Sequence, residues 1–320
     1  MTTENAASTA VEDHIAKFRE AADPRDRAFV DYWTSRIDLT DPAAPHWMEH
    51  FNLRIGECRK MVEHIETQQT LRGARALDIG CQTGALAVLM GERGASVIGI
   101  DTQDWVLEAG RKRAAGWGVD AKFLVAKGEQ LPFESESFDV VTFVDVIEHC
   151  GDAHQCLREM ARVLRPGGLA YVLGPNRFAP EWFVRDPHYQ LMGASVLPNK
   201  LGRAYVEWRR GRPGYDVGVF PVGTAVANTL RKSGLEIVDS PVHAADRWWA
   251  RRAPASLAGA SAIARAWGVV RLTFLPTFIL LAKKPAFGSA SGPDFGDYFV
   301  NSEPATADGE RDTQKRRGNT

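Results

Sequence analysis

A parallel α/β sheet covered by helices on both faces is the fold class that the sequence predicts, and three observations carry it. From Arg75 onward short apolar runs alternate with amphipathic stretches, as expected of strands buried on both faces between crossover helices. The first run ends in Asp78 and turns through Gly80 and Gly84 into a helical stretch, the join that lets backbone pass close to a ligand at a sheet's carboxyl edge. A chain of 320 residues with 44% hydrophobic content has ample material for such a core.

Each element follows from its pattern. Residues 1–24 are polar and Ala-rich, and 286–320 are rich in Gly, Ser, Asp and Arg; both ends are expected to be disordered. Between 25 and 70 the spacing of Phe51, Ile55, Cys58, Met61 and Ile65 predicts a helical N-terminal cap. Residues 71–285 then form the main domain. Its strands are expected at Arg75–Ile79, Ser96–Ile100, Ala121–Val125, Phe138–Val144 and Leu169–Leu173. Helices are expected near Gly84–Arg93, Trp105–Ala115 and Asp152–Leu164, the last stopped by Arg165-Pro166-Gly167-Gly168. A helix near Thr224–Lys232, a strand at Leu235–Val242 and a final core strand within Val269–Ala282 complete the scheme. Residues 175–220 and 243–268 read as insertions.

Bulk properties narrow the function. A formal net charge of -1 with 25% charged residues gives no general attraction to nucleic acid. Cys58, Cys81, Cys150 and Cys156 show no CxxC pairing, which fits a reducing cytoplasm without need of disulfides. The N-terminus lacks the basic and apolar regions of a secretory leader. Val269–Ala282 contains Arg271 and Pro276 and is shorter than the roughly 20 residues that span a bilayer. A cytoplasmic protein is therefore expected.

The turn after the first strand is the best candidate binding site. Helix N-terminal N–H groups there favour an anionic group, and Asp101, followed by Thr102 at the end of the second strand, is placed to accept the hydroxyls of a ribose. Nicotinamide enzymes share this geometry. Their fingerprint needs a second glycine where this chain has Gln82, so the dinucleotide reading fits poorly.

The segments Asn52-Leu53-Arg54-Ile55-Gly56, Leu77–Gly84, Gly94–Asp101, Phe138–His149, Leu164–Gly168 and Pro175-Asn176-Arg177 together resemble class I S-adenosylmethionine-dependent methyltransferases. Among these they are most similar to the quinone-biosynthetic O-methyltransferases. The resemblance covers about residues 54–176 and implies a Rossmann-like sheet, mostly parallel with an antiparallel last strand. It implies that Arg54 pairs with the methionine carboxylate, that Asp78, Gly80, Gln82 and Gly84 form the cofactor turn, and that Asp101 and Thr102 meet the ribose. Gly128 and Glu129 would read adenine through their backbone, and the backbone around Val144 would face the sulfonium. Two positions depart from the pattern: Gln82 replaces a glycine, and Lys127 stands where many relatives carry an adenine-binding Asp.

For the chemistry, His149 at the end of the fourth strand is the candidate base, since imidazole titrates near working pH. Capping the strand or bonding the following helix is its structural alternative. Asp145, Glu148 and His149 also resemble the carboxylate-and-imidazole metal-binding arrangement of the quinone enzymes, which implies a divalent cation. His188, in Arg185-Asp186-Pro187-His188-Tyr189, is a second catalytic candidate in an insertion expected to cover the site. The Asp-Pro pair alternatively predicts a turn with His188 facing solvent. His243 and Trp248-Trp249 are candidates for lining an acceptor pocket or for core packing.

The insertion at 175–220 interleaves Trp182, Phe183, Leu191, Met192, Val196, Leu197, Leu201 and Trp208 with Lys200, Arg203, Arg209, Arg210 and Arg212. That mixture suits either the inner membrane surface and a lipophilic acceptor or a lid with an apolar underside and a solvated basic top. The expected partner is a small-molecule acceptor, and the expected reaction is O-methylation of a lipophilic or glycosylated compound. N- or C-methylation and a non-catalytic membrane-binding module are the alternatives.

Overall fold

The computed structural model describes residues 15–36, 44–184, 186, 188, 189, 191–211, 221–240 and 260–286, without side chains for 44–54, 195, 199 and 260–265. All of them belong to the one unit that ends at Phe287. Of the ends expected to be disordered, 1–14 and 287–320 lie outside these residues, as do His243, Trp248-Trp249, Arg212 and the side chain of Arg54; residues 15–24 correct that expectation, being helical over 15–21 with Ile15 and Phe18 buried against Phe29, Val30 and Trp33.

A seven-stranded sheet in the order β3-β2-β1-β4-β5-β7-β6 organises the chain. Its strands are β1 (Arg75–Ile79), β2 (Ser96–Asp101), β3 (Ala121–Val125), β4 (Phe138–Val144), β5 (Leu164–Pro175), β6 (Glu236–Asp239) and β7 (Thr277–Lys283). Strands β1 to β5 pair in parallel, and β7 runs antiparallel to both β5 and β6. The helices are α1 (Arg27–Thr34), α2 (Ala44–Glu66), α3 (Ala85–Glu92), α4 (Asp104–Trp117), α5 (Ala153–Val163), α6 (Pro180–Val184), α7 (Asn199–Arg210), α8 (Gly223–Lys232) and α9 (Ala260–Phe274).

Side-chain alternation along the strands divides the core into two layers. Leu77, Val141, Phe143 and Leu280 pack with Leu157 and Met160 of α5 and Val226 and Leu230 of α8. Ala76, Val97, Val140 and Leu281 face the other way, onto Val62 and Ile65 of α2 and Leu86, Leu89 and Met90 of α3. Cys58, Met61 and Ile65 of the expected cap are buried in this second layer. The α2 periodicity thus reflects docking on the sheet.

One expectation is corrected. The run from Val269 was expected to be a strand, but its first half completes α9, and β7 starts at Thr277. The segment 260–268 supplies five alanines and glycines among nine residues that extend the helix backward, and Pro276, which lacks an N–H, marks where the helical ladder stops. The expected insertion 243–268 therefore contains the start of α9. A smaller difference concerns β5, which runs through the Pro-Gly-Gly turn by a register shift against β4 between Phe138 and Val140.

Candidate active site

The sheet order reverses direction between β1 and β4, and the crevice beyond the carboxyl ends there is where open α/β sheets bind ligands. Ile79 of β1 is in register with Ile100 of β2 and Phe143 of β4, so Gly80, Asp101 and Val144 follow one another along one edge. Val144 is half-buried and in register with Leu173.

Left-handed backbone shapes the turn after β1. Gly80 has φ 68°, Gln82 φ 47° and Gly84 φ 73°. A Cβ on Gly80 would lie 2.2 Å from the Val146 side chain, so glycine is required there by both conformation and space. The non-glycine Gln82 is held in its strained conformation because its N–H donates to Asp101 Oδ2 at 3.2 Å. The other oxygen of Asp101 accepts the N–H of Gln103 at 3.1 Å, and each oxygen keeps a further lone pair. Thr102 is exposed beside it. Asp78 is buried under the turn and accepts the Thr142 hydroxyl at 2.6 Å. Burial and the neighbouring carboxylates of Asp78 and Asp101 push the Cys81 thiol well above its ordinary pKa.

A buried polar cluster unmarked in the sequence supports this turn from behind. Arg113 of α4 is 1% exposed, and its guanidinium donates to the Thr83 carbonyl at 3.0 Å, to the Thr83 hydroxyl at 2.9 Å and to Asp26 Oδ1 at 3.1 Å. Trp117 Nε1 donates to the same Asp26 oxygen at 2.7 Å, and Phe29 stacks on the guanidinium. Desolvation lowers the Arg113 pKa, with Asp26 opposing it. The segment ahead of α1 is thereby tied to the turn. Only an Arg and an Asp far apart in sequence signal it, and both look like surface residues there.

On the far side of the crevice, Val146 touches Gly80 and leads into a 3-10 turn, Ile147–His149. Asp145 takes positive φ, 52°, and its N–H donates to the Leu173 carbonyl. Glu148 is buried in this turn, whereas the His149 side chain is 36% exposed. His188 comes across from the insertion: its Nε2 lies 3.7 Å from Glu148 Oε1, and His149 Nε2 lies 3.9 Å from the same oxygen. The two imidazoles meet edge to face with centroids 5.2 Å apart.

The expected turn around His188 does form, since Asp186 Oδ1 accepts the N–H groups of His188 at 2.9 Å and Tyr189 at 2.6 Å. The solvent-facing alternative for His188 is corrected, because that turn aims the ring at Glu148 and leaves it 21% exposed. Burial raises the Asp186 pKa against the opposing effect of these two N–H groups. Among the described residues the carboxylate-and-imidazole group is Glu148, His149 and His188, with ligand atoms within 4.8 Å of one another. It takes its third member from the insertion instead of from Asp145.

The insertion is fastened at its root by Asn176. This buried side chain donates to the Leu275 carbonyl at 2.8 Å and accepts the Gly223 N–H at 2.9 Å, while Trp182 Nε1 donates to the Pro276 carbonyl. Across the sheet edge, Glu129 Oε1 accepts the Gly151 N–H at 2.9 Å, Gly128 packs near Cys156, and Lys127 is exposed.

Comparison with known proteins agrees with this architecture. The family described as "Methyltransferase domain" matches residues 77–172. The chain is 31% identical to a ubiquinone biosynthesis O-methyltransferase of Sinorhizobium medicae over 64% of its own length and 83% of the relative's. It is 37% identical to the protein of that name from Sinorhizobium fredii over 58% of its length and 70% of the relative's. A ubiquinone/menaquinone biosynthesis C-methyltransferase of Xanthomonas oryzae pv. oryzae is 38% identical over 44% of this chain and 56% of that one. With a seven-stranded sheet whose β7 is reversed and a glycine turn latched to the end of β2, the chain belongs to the class I S-adenosylmethionine-dependent methyltransferases, alongside the ubiquinone-biosynthesis O-methyltransferases.

Proposed function

We propose that the protein transfers the methyl group to a hydroxyl of a lipophilic or glycosylated small molecule, quinone-like or a secondary metabolite. The observation that carries the reading is the convergence of Glu148, His149 and His188 at the end of β4, one turn from the cofactor crevice. S-adenosylmethionine supplies a methyl group on a sulfonium, so the remaining work is to position the acceptor and take its proton. An imidazole suits that proton. His149 is assigned as the base, and His188 as the group that holds the acceptor from the lid.

The cofactor fits the crevice on two counts: Gly80 is half-exposed at the carboxyl end of β1 in a left-handed turn, and Asp101 retains lone pairs on both oxygens. In this assignment Arg54 meets the methionine carboxylate, and Asp78, Gly80, Gln82 and Gly84 shape the turn around the methionine moiety. Asp101 and Thr102 hold the ribose, the backbone of Gly128 and Glu129 meets adenine, and that of Val144 faces the sulfonium. One carboxylate and two imidazoles also fit a divalent cation, which would lower the pKa of an acceptor hydroxyl. Residues 71–285 are assigned as the catalytic domain, with 25–70 as its cap.

The lid suits a lipophilic acceptor delivered from a membrane surface. In α7 Val206 is buried, while Leu201 at 60% and Trp208 at 73% exposure fall on one side of the helix, with exposed Lys200 and Arg209 about a quarter-turn to either side. An apolar stripe flanked by cations is the pattern of a helix lying in an anionic interface. Among the described residues no helix is long and apolar enough to cross a membrane.

The test is incubation of the protein and methyl-labelled S-adenosylmethionine with extract of its own host, then identification of the labelled product. A label on oxygen of a lipid-soluble product supports the reading. A label on carbon, in line with the C-methyltransferase relative, or on nitrogen overturns it.

A further inference from the structure

Cys150 and Cys156 are six residues apart and meet across the join between the Ile147–His149 turn and α5. Their sulfurs are 3.1 Å apart, with the Cys156 S–H donating to Cys150. Both are free thiols. Cys150 is half-exposed, whereas Cys156 is fully buried beneath Gly128, whose Cβ position would lie 3.2 Å from the Cys156 sulfur. The hydrogen bond to Cys150, burial and the nearby carboxylates of Glu129 and Asp152 all push the Cys156 pKa up, which keeps this sulfur protonated and inert until its partner is activated.

The same two sulfurs with Glu129 also form a cluster whose ligand atoms lie within 4.8 Å of one another. Two chemistries therefore compete at this cluster, a soft divalent metal and sulfur–sulfur bonding, and treatment with a chelator separates them. Two thiolates on a tetrahedral zinc, with Zn–S of about 2.3 Å, stand about 3.8 Å apart, so a shared ion requires the S–H···S contact at 3.1 Å to open. Glu129 Oε1 is already engaged by the Gly151 N–H at 2.9 Å and the Asp152 N–H at 3.4 Å. A disulfide needs the sulfurs to approach by only about 1 Å more, to about 2.05 Å.

We propose that Cys150 and Cys156 are a thiol-oxidation site, converted by a peroxide into a reversible intramolecular disulfide. The Cys150 thiolate, the member that solvent reaches, attacks one peroxide oxygen. The O–O bond breaks, hydroxide leaves and is protonated to water, and Cys150 becomes a sulfenic acid. The Cys156 sulfur then attacks the Cys150 sulfur, the S–O bond breaks, and the departing hydroxide takes the Cys156 proton. In total two thiols and one hydrogen peroxide give one disulfide and two waters, the thiols losing two electrons. A dithiol reductant reverses the change by exchange. The bond closes the loop that carries Gly151 and Asp152, directly after His149, so it forms at the edge of the crevice.

The experiment treats the full chain with hydrogen peroxide, blocks remaining thiols with iodoacetamide in denaturant, and maps peptides before and after dithiothreitol. The expected result is that titratable thiols fall from four by two, with a Cys150–Cys156 link that dithiothreitol removes, while Cys58 and Cys81 are alkylated throughout. In Cys156→Ser, checked for an unchanged melting temperature, dimedone is expected to capture a sulfenic acid at Cys150. Four titratable thiols after treatment, direct passage of Cys150 to sulfinic acid without the link, or stoichiometric zinc released by a chelator from Cys150 and Cys156 would each overturn the proposal. So would a well-folded Cys156→Ser in which dimedone labels nothing at Cys150.

Discussion

Asp101 accepts the backbone N–H of Gln82 at 3.2 Å, so one carboxylate both latches the cofactor turn and keeps a lone pair on each oxygen for a ligand. These two jobs can be separated. Asp101→Asn is nearly the same size, yet its amide nitrogen cannot accept one of the two N–H groups and its charge is gone. Charge-assisted hydrogen bonds are worth about 1.5–3 kcal/mol, so S-adenosylmethionine affinity is expected to fall about ten- to a hundredfold. Asp101→Ala is expected to lower the melting temperature as well, since Gln82 loses what holds its left-handed backbone. Calorimetry of both variants checks this, and undiminished affinity in Asp101→Asn would remove Asp101 from the cofactor site.

Gly80→Ala tests the contact between the two halves of the crevice. The new methyl carbon would meet Val146 at 2.2 Å on a backbone of φ 68°. Left-handed backbone costs a non-glycine residue about 1–2 kcal/mol, and overpacking adds about 1–3 kcal/mol. Urea unfolding is expected to show a loss in that combined range. Gly80→Ala with Val146→Ala is expected to recover most of the packing part while the backbone part remains. Failure of the second substitution to help would show that Val146 does not set the limit.

These two positions also show how much was legible in the sequence. Gly80, Asp101 and His149 sit in continuous stretches whose residue types state their geometry, and apolar runs located β1 to β4 within a residue and β6 within a few. What escaped came from residues brought together over distance or from a run with the wrong period. Val270-Arg271-Leu272-Thr273-Phe274 alternates apolar and polar as a strand would, and only the alanines before it favour α9. His188 reads as a turn residue because Asp186 does make that turn. Its approach to Glu148 depends on how Asn176 and Trp182 fasten the insertion to Leu275 and Pro276. Cys150 and Cys156 show no motif spacing and meet only because a 3-10 turn runs into α5.

The Arg113–Asp26 ion pair separates stability from binding. Asp26→Ala leaves a buried guanidinium without its carboxylate and removes the acceptor of Trp117 Nε1. Breaking a buried pair from one side costs about 3–5 kcal/mol. Replacing both members by apolar residues, as in Asp26→Leu with Arg113→Met, is expected to restore much of that loss. The double variant still lacks the bonds to the Thr83 carbonyl and hydroxyl, so its S-adenosylmethionine affinity is expected to stay below wild type. Denaturation and calorimetry on one set of variants read the two effects, and native affinity in the double variant would sink the link to the turn.

His149→Ala probes the proposed base. General-base catalysis contributes about 10²–10⁴-fold, so turnover with the identified acceptor is expected to fall by about that factor. S-adenosylmethionine affinity is expected to stay within about twofold of wild type, because the ring stands with Glu148 and His188 beyond the turn. Full turnover in His149→Ala would assign the proton to another group. A matching loss of cofactor affinity would mean that His149 acts through the fold of the Ile147–His149 turn.

The outer face of α7 gives the last prediction. Lys200 and Arg209 flank Leu201 and Trp208 on a helix that buries Val206. Cations near an anionic surface contribute about 1 kcal/mol each, and that attraction is screened as the Debye length shrinks with salt. Flotation with phosphatidylglycerol vesicles is therefore expected at low ionic strength, weakened at high salt and weaker still with neutral vesicles. Trp208→Ser together with Leu201→Ser is expected to reduce flotation without changing S-adenosylmethionine affinity, since neither side chain borders the crevice elements described. Loss of salt dependence would mean the cations are solvated bystanders. Absence of flotation at low salt would make α7 a lid with a wet top, and the acceptor would then reach the site from solution.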